Sequence, residues 1–290
     1  MKPPPFEYHS VASVDEAVAL LGEHGEEAKV LAGGQSLVPL LALRLARPAR
    51  LVDINRVAEL TSVTNGSGLT VGSVVRQRVA ERSETVAIAN PLLVRALGLI
   101  GHAAIRNRGT IGGSIAHADP AAELPTVLLA LDGEVTARGR NGTRTIGAAE
   151  LFQGFLTTSV APDELVTGVR FPPWPAGTGW SFQEFSRRSG DFAVAGVAAT
   201  MRLDRNGMIA DARIALSGMG TTPVRAQKAE AALAGQSPSD EVWAAASEDA
   251  VAGLDPPSDI HGTAAYRRHL AAALTGRALR EAYKRSEVRS

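Results

Sequence analysis

Apolar and polar positions change period several times along the chain, and those changes mark its elements. Ser13-Val14-Asp15-Glu16 carries a capping-box pattern. In that pattern Ser13 accepts from the amide of Glu16, and Glu16 reaches back to the amide of Ser13. An apolar helical run continues through Leu20 and Leu21 and stops near Gly25. Ala28 to Ala32 is short enough for a strand and runs into Gly33-Gly34-Gln35-Ser36. Leu37 to Leu45 reads as a helix with Pro39 in its first turn, where proline is tolerated. Leu51 to Ile54 reads as a further strand. The opening residues, about 1–55, therefore predict a small α/β unit.

Residues 60–75 alternate as strands do, around Asn65-Gly66 and Gly68, a hairpin signal. Pro91 to Ile100 suits a helix. A second glycine loop, Gly109-Thr110-Ile111-Gly112-Gly113-Ser114, follows it. Ala121 to Leu131 predicts a helix, Asp132-Gly133 a turn, and Val135-Thr136 and Leu165 to Phe171 strands. The clearest boundary is Phe171 to Gly179, whose first seven positions hold three Pro and one Gly. Beyond it, 192–203 and 209–217 read as strands joined by Asp204-Arg205-Asn206-Gly207, and the alanine-rich remainder as helices. The fold expected is α+β. It has a first domain over 1–176, in subdomains of about 1–55 and 56–176, and a second over 177–290.

Composition narrows the function. The 290 residues are enough for about two domains. With 45% hydrophobic residues, whole-chain disorder is excluded. Thirty basic residues balance thirty acidic ones, so a global basic field for nucleic acid is absent. There is no cysteine, which removes disulfides, thiolate nucleophiles and cysteine-ligated iron–sulfur clusters from the chain and fits a reducing compartment. No apolar signal-peptide core follows Lys2. The longest uncharged apolar stretch, Phe192 to Met201, is about half of what a spanning helix needs. These features predict a soluble cytoplasmic protein with no membrane span.

The glycine loops are the candidate chemistry. Glycine lets the backbone take positive φ and approach a ligand closely. Gly33-Gly34 follows a strand and opens a helix, where outward amides suit a phosphate, and Ser36 adds a hydroxyl. Gly112-Gly113-Ser114 offers a second set of amides with a serine, and two such loops suit a pyrophosphate. A Gly-Gly pair is also an ordinary turn. Neither loop has the spacing of G-x-G-x-x-G or of the P-loop, which disfavours a Rossmann NAD site and an NTPase. No histidine pair has metal-binding spacing, and no G-x-S-x-G elbow is present. Arg187-Arg188-Ser189-Gly190-Asp191-Phe192 is either a polar turn or a device delivering an aromatic ring to an interdomain cleft. The tail from Arg267 to Arg289, with seven Lys or Arg and two Glu, is either a solvated helix face or a contact for an acidic surface.

Together these segments resemble one family. Ala32-Gly33-Gly34-Gln35-Ser36-Leu37 and Thr110-Ile111-Gly112-Gly113-Ser114-Ile115-Ala116-His117-Ala118-Asp119-Pro120 resemble the two FAD-binding motifs of the medium subunit of molybdenum hydroxylases. That group includes the carbon monoxide dehydrogenase medium subunit and the flavin domain of xanthine dehydrogenase. Phe6-Glu7-Tyr8-His9, Arg188 to Phe192, Thr222 to Ala226 and Tyr266 to Leu270 are similar to it as well. The resemblance spans nearly the whole chain. It implies an FAD-binding region in two subdomains and a smaller C-terminal domain of a three-stranded antiparallel sheet and helices. Ala32, Gly33, Gly34, Gln35, Ser36 and Leu37, with Thr110, Gly112, Gly113 and Ser114, would wrap the pyrophosphate. Ile100 would lie near the flavin ring, Glu123 would take the place of an aspartate that contacts the ribose, and Asp119 and Val166 would line the cofactor. Phe192 would stand beside the isoalloxazine. One departure is Gln183-Glu184, where several members of the family carry a lysine.

The same resemblance implies an electron relay. A molybdenum cofactor in a large subunit would hydroxylate the substrate, and two [2Fe–2S] clusters in a small subunit would pass electrons to FAD on this chain. NAD, a quinone, O2 or another acceptor would take them. The complex implied is a dimer of heterotrimers, and no residue of this chain is implied as acid or base. The alternatives are a self-contained flavin-dependent oxidase or dehydrogenase, which would need its own pocket and base, and a non-catalytic interaction protein.

Overall fold

The computed structural model describes residues 2–287. The chain opens with a three-stranded parallel sheet in the spatial order Glu7–Ser10, Arg50–Asp53, Ala28–Leu31. Parallel neighbours need crossovers, and helices Val14–His24 and Leu37–Ala42 supply them. The first buries Val14, Ala17, Val18 and Leu21, the i, i+3, i+4, i+7 stripe of an amphipathic helix. Ser13 caps it as expected, accepting from the Glu16 amide at 3.2 Å. The reciprocal arm differs. The Glu16 carboxylate accepts from the amide of Ala12, not Ser13, at 2.8 Å. Helix Leu37–Ala42 ends earlier than its apolar run because Arg44 turns the chain at φ +59°.

The second sheet is antiparallel in the order Val63–Gly66, Gly68–Gly72, Leu165–Phe171, Glu134–Gly139, Gly142–Gly147. Its first hairpin turns at Ser67 rather than at Asn65-Gly66, which are already paired with Leu69 and Gly68. Gly68 takes φ +123° there, and a Cβ on it would stand 2.5 Å from the Phe171 carbonyl oxygen. Between the second and fourth of these strands run short helices that include Pro91–Leu97, Ile111–His117 and Glu123–Ala130. The second glycine motif is thus the first turn of a helix and not a loop. Thr110 is its N-cap.

The third sheet holds strands Gly179–Phe185, Ala195–Leu203 and Ile209–Ser217, with a two-residue fourth strand, Val224–Arg225, at its edge. Its central strand is buried on both faces, which explains the long apolar run in the sequence. Phe182, Ala198 and Ala215 on one face join the core of the second sheet and its helices. Ala195, Val197, Ala199, Ile214 and Leu216 face the other way. They pack against helices Gln227–Leu233, Asp240–Val251 and Ala264–Glu287. Most of the basic tail lies on the last helix; Arg289 is outside the described residues.

Helix Glu123–Ala130, buried along its whole length, is held by the third sheet at both ends. The Gly218 amide donates to the Pro120 carbonyl at 2.8 Å just before it starts. At its far end Arg225 donates to the Leu129 carbonyl at 2.9 Å and pairs with Asp132 at 2.7 Å. A cation on the last carbonyls suits the helix dipole. Among the described residues, no helix is long and apolar enough to cross a membrane.

The start of the third sheet is a test of this packing. A Cβ on Gly179 would collide with the Ala282 carbonyl oxygen of the last helix. Gly179→Ala is therefore expected to cost about 1–3 kcal/mol, read as a lowered thermal midpoint. An unchanged midpoint would contradict the close approach.

Candidate cofactor site

Strand Ala28–Leu31 delivers the first glycine segment, and helix Ile111–His117 begins in the second. The fold lays the two side by side. A Cβ on Gly33 would stand 2.5 Å from the Arg108 carbonyl oxygen and 2.8 Å from the Gly109 Cα. Only glycine permits that contact. A Cβ on Gly113 would come within 2.6 Å of the Thr110 Oγ1 and 3.7 Å of the Ala32 Cβ. Gly34, at φ +72°, turns the chain from the strand toward the helix that starts at Leu37.

The segments differ in what their amides do. Among the described residues, the amides of Gly34, Gln35 and Ser36 donate to no protein acceptor. The Gln35 side chain instead donates to the Gly33 carbonyl at 3.0 Å. In the second segment the amides of Ile111 to Ser114 are already used. Ile111 donates to the Val75 carbonyl at 3.0 Å and Gly112 to the Ser73 carbonyl at 3.0 Å. Gly113 donates to the Thr110 hydroxyl at 3.0 Å, and Ser114 to the Thr110 carbonyl at 3.2 Å. The expected second set of free amides is therefore corrected. The helix start is buried against the strand end at 72–75, where backbone groups must find partners. The second segment brings Gly113, without a side chain, beside Ala32, together with the half-buried Ser114. Unpaired amides in the first segment and a close backbone approach to the second fit a pyrophosphate, which needs both.

The other expected residues fall into three groups. Ile100 follows helix Pro91–Leu97, and its carbonyl accepts from Arg106 at 2.8 Å. Two residues on, His102 packs on the turn that carries Phe192, since a Cβ on Gly190 would stand 2.5 Å from its ring. Phe192 itself is 61% exposed, two residues past Gly190. Asp119 and Glu123 sit at the start of helix Glu123–Ala130. Asp119 Oδ1 accepts from the Ala121 amide at 2.8 Å. Val166 lies on the central strand of the second sheet with its side chain enclosed in the core.

Glu123 is in a setting the sequence did not disclose. Burial pushes its carboxyl up to about 8, and the charges of Glu184 and Asp119 add to the effect. Of the pair Gln183-Glu184, Gln183 donates to Ser181 and to Glu281 of the last helix. Glu184 is on the opposite face, toward the first domain, and burial raises it to about 7. Its Oε2 and the neighbouring Ser217 Oγ are buried without partners. Asn55 and Arg76 were missed as well. Asn55 donates to the Ala32 carbonyl, and Arg76 to the Arg108 carbonyl. The signal for Asn55 was Asp53-Ile54-Asn55 at a strand end, an Asx-turn pattern. No local pattern marks Arg76.

The raised Glu123 has a definite consequence for stability. The unfolded chain loses this proton near the ordinary value of 4.5, whereas the folded chain keeps it until about 8. Its contribution is complete below the first value and is lost as pH rises toward the second. The slope is about 1.4 kcal/mol per pH unit at most. Glu123→Gln, neutral throughout, should gain thermal midpoint over the parent chain as pH rises from 5 to 8. A difference independent of pH would contradict the assignment.

Comparison with known proteins places the chain in a family. The family described as FAD binding domain in molybdopterin dehydrogenase matches residues 4–174, and CO dehydrogenase flavoprotein C-terminal domain matches residues 180–282. The 6-hydroxypseudooxynicotine dehydrogenase complex subunit alpha of Paenarthrobacter nicotinovorans is 45% identical over 287 residues, covering 99% of this chain and 97% of its own. The carbon monoxide dehydrogenase medium chain of Hydrogenophaga pseudoflava is 39% identical, covering 98% of this chain and 99% of its own. A solved carbon monoxide dehydrogenase from that organism has a chain that superimposes with a TM-score of 0.96 at 42% identity, covering 98% of this chain and 99% of its own. Quinoline 2-oxidoreductase from Pseudomonas putida 86 gives 0.93 at 38% identity, with 98% and 99% covered. Both the sequence resemblance and the α+β fold expected from it hold, and the chain belongs to the family of FAD-binding medium subunits of the molybdenum hydroxylases, as an oxidoreductase flavoprotein subunit.

Proposed function

We propose that this chain is the electron outlet of a heterotrimeric molybdenum hydroxylase, assembled as a dimer of heterotrimers in the cytoplasm. Electrons released at a molybdenum cofactor in the large subunit reach it through [2Fe–2S] clusters of the small subunit. They leave to an external acceptor of the NAD, quinone or O2 class. FAD, when bound, supplies the redox chemistry that connects one-electron clusters to such an acceptor. The observation that carries the reading is the close approach of the two glycine segments at Gly33 and Gly113, with the amides of Gly34 to Ser36 unpaired. The cysteine-free chain supports it further, because it cannot hold the clusters itself.

The chain's own part is to bind, orient and shield. Residues 1–176 form the FAD-binding domain in this reading, and 177–290 the flavoprotein C-terminal domain. Ala32 to Leu37 hold the pyrophosphate, and Thr110, Gly112, Gly113 and Ser114 form the opposing wall. Glu123, with Asp119 beside it, serves the ribose. At neutral pH its carboxyl is largely protonated, so it can donate a hydrogen bond as well as accept one. Ile100 and Phe192 approach the flavin ring from the two domains, and Val166 backs the site through the core. Gln183-Glu184 supplies no cation to stabilise an anionic reduced cofactor, and an ionised Glu184 disfavours one nearby.

Variants of the whole complex test the relay. Gly34→Val strains a backbone at φ +72° and places a branched side chain 3.1 Å from Val38 Cγ2. Gly113→Val displaces the Thr110 cap. Both complexes should keep molybdenum and iron, lose FAD and lose acceptor reduction by at least about tenfold, while substrate still bleaches the cluster absorbance. Normal flavin content in both variants, or full acceptor reduction without flavin, would refute the reading.

A further inference from the structure

The two glycine segments are tied together by side chains that belong to neither. Asn55 lies two residues past strand Arg50–Asp53, where its amide and its Nδ2 donate to Asp53 Oδ1 at 2.8 and 2.6 Å. The Tyr8 hydroxyl donates to the other oxygen of Asp53 at 2.6 Å. The Asn55 Nδ2 also donates to the Ala32 carbonyl at 2.8 Å. Its Oδ1 accepts from Arg76 Nη2 at 2.7 Å, and Arg76 Nη1 donates to the Arg108 carbonyl at 2.6 Å. One guanidinium therefore reaches both walls. Through Asn55 it holds the residue before Gly33, and directly it holds the residue before Gly109.

We infer that Arg76 is a positioning residue that clamps the two glycine segments at the spacing FAD needs and thereby sets how tightly the chain retains FAD. The inference rests on the reading of the seam as the pyrophosphate site. Three features carry it. The Arg108 carbonyl is caught between the guanidinium and the bare face of Gly33, so moving either wall breaks the contact. The Arg76 backbone is itself bridged to Thr110, and the Gln77 amide donates to the Gly109 carbonyl at 2.8 Å, which fixes the base of the clamp to the second segment. The two contacts leave from the two terminal nitrogens of a rigid planar fork, a geometry that one ammonium does not reproduce. Electrostatics works in the same direction. Burial and the charge of Arg108 both disfavour the Arg76 cation, with Asp53 opposing them, and an anion in the seam relieves that strain.

The test uses the full chain, stripped of flavin and titrated with FAD, with flavin fluorescence as the readout. Circular dichroism and the thermal midpoint of the flavin-free protein are measured alongside. R76M is expected to weaken FAD binding about tenfold to a hundredfold, the range for losing a charge-assisted contact, without a matching loss of fold in the flavin-free state. R76K should stay weakened by about tenfold or more. N55A should weaken binding too, and R76M/N55A should bind no worse than R76M alone, because both act through one chain of contacts. If flavin-free R76M lacks the parent circular dichroism, R76K and N55A decide by the same criteria. G33A is the reference for the site itself. Parent-like affinity in R76M or R76K while G33A has lost FAD would overturn the clamp and leave the site standing. Parent-like affinity in G33A as well would remove the site, and the clamp with it. Fully additive effects of R76M and N55A would also overturn it.

Discussion

The backbone of Arg108 and Gly109 crosses the bare face of Gly33 so closely that a Cβ there would stand 2.5 Å from a carbonyl oxygen. Most of the site follows from that contact. It joins the small parallel sheet to the helical layer of the second sheet, and it places two glycine segments on opposite sides of one narrow seam. It also divides the labour between them. The first leaves the amides of Gly34 to Ser36 free, whereas Ile111 to Ser114 of the second use theirs within the fold.

The third sheet adds a second constraint. Its central strand is buried on both faces, so the sheet acts as a spacer between the FAD-binding region and the C-terminal helices. Helix Glu123–Ala130 takes the load on one side, tied at one end through Pro120 and at the other through Leu129 and Asp132. The carboxyls of Glu123 and Glu184 meet near its start, both raised by burial. Two acids are tolerated there because burial raises both, to about 8 for Glu123 and about 7 for Glu184, so the two are not held fully charged together at neutral pH.

Much of this was legible in the sequence, and the parts that were not share a cause. Short-range patterns read correctly: the cap at Ser13, the strand–glycine–helix at Ala28 to Leu37, the break after Phe171. The family was legible because the second glycine motif is long and specific and further matching segments follow in order along nearly the whole chain. What sequence could not give was partnering across distance. That Gly112 and Gly113 spend their amides on Ser73 and Thr110, that Val166 points into the core, and that Glu184 rather than Gln183 faces the first domain all depend on packing between segments far apart in the chain. Arg76 illustrates the same limit: its partners, Asn55 and Arg108, lie 21 and 32 residues away.

The most direct measurement is purification of the native protein under mild conditions, with its chains identified and flavin, molybdenum and iron determined on the same sample. The account predicts FAD together with both metals and two co-purifying chains, one carrying the molybdenum cofactor and one the clusters. FAD on an isolated, metal-free chain that oxidises an organic substrate unaided would contradict it.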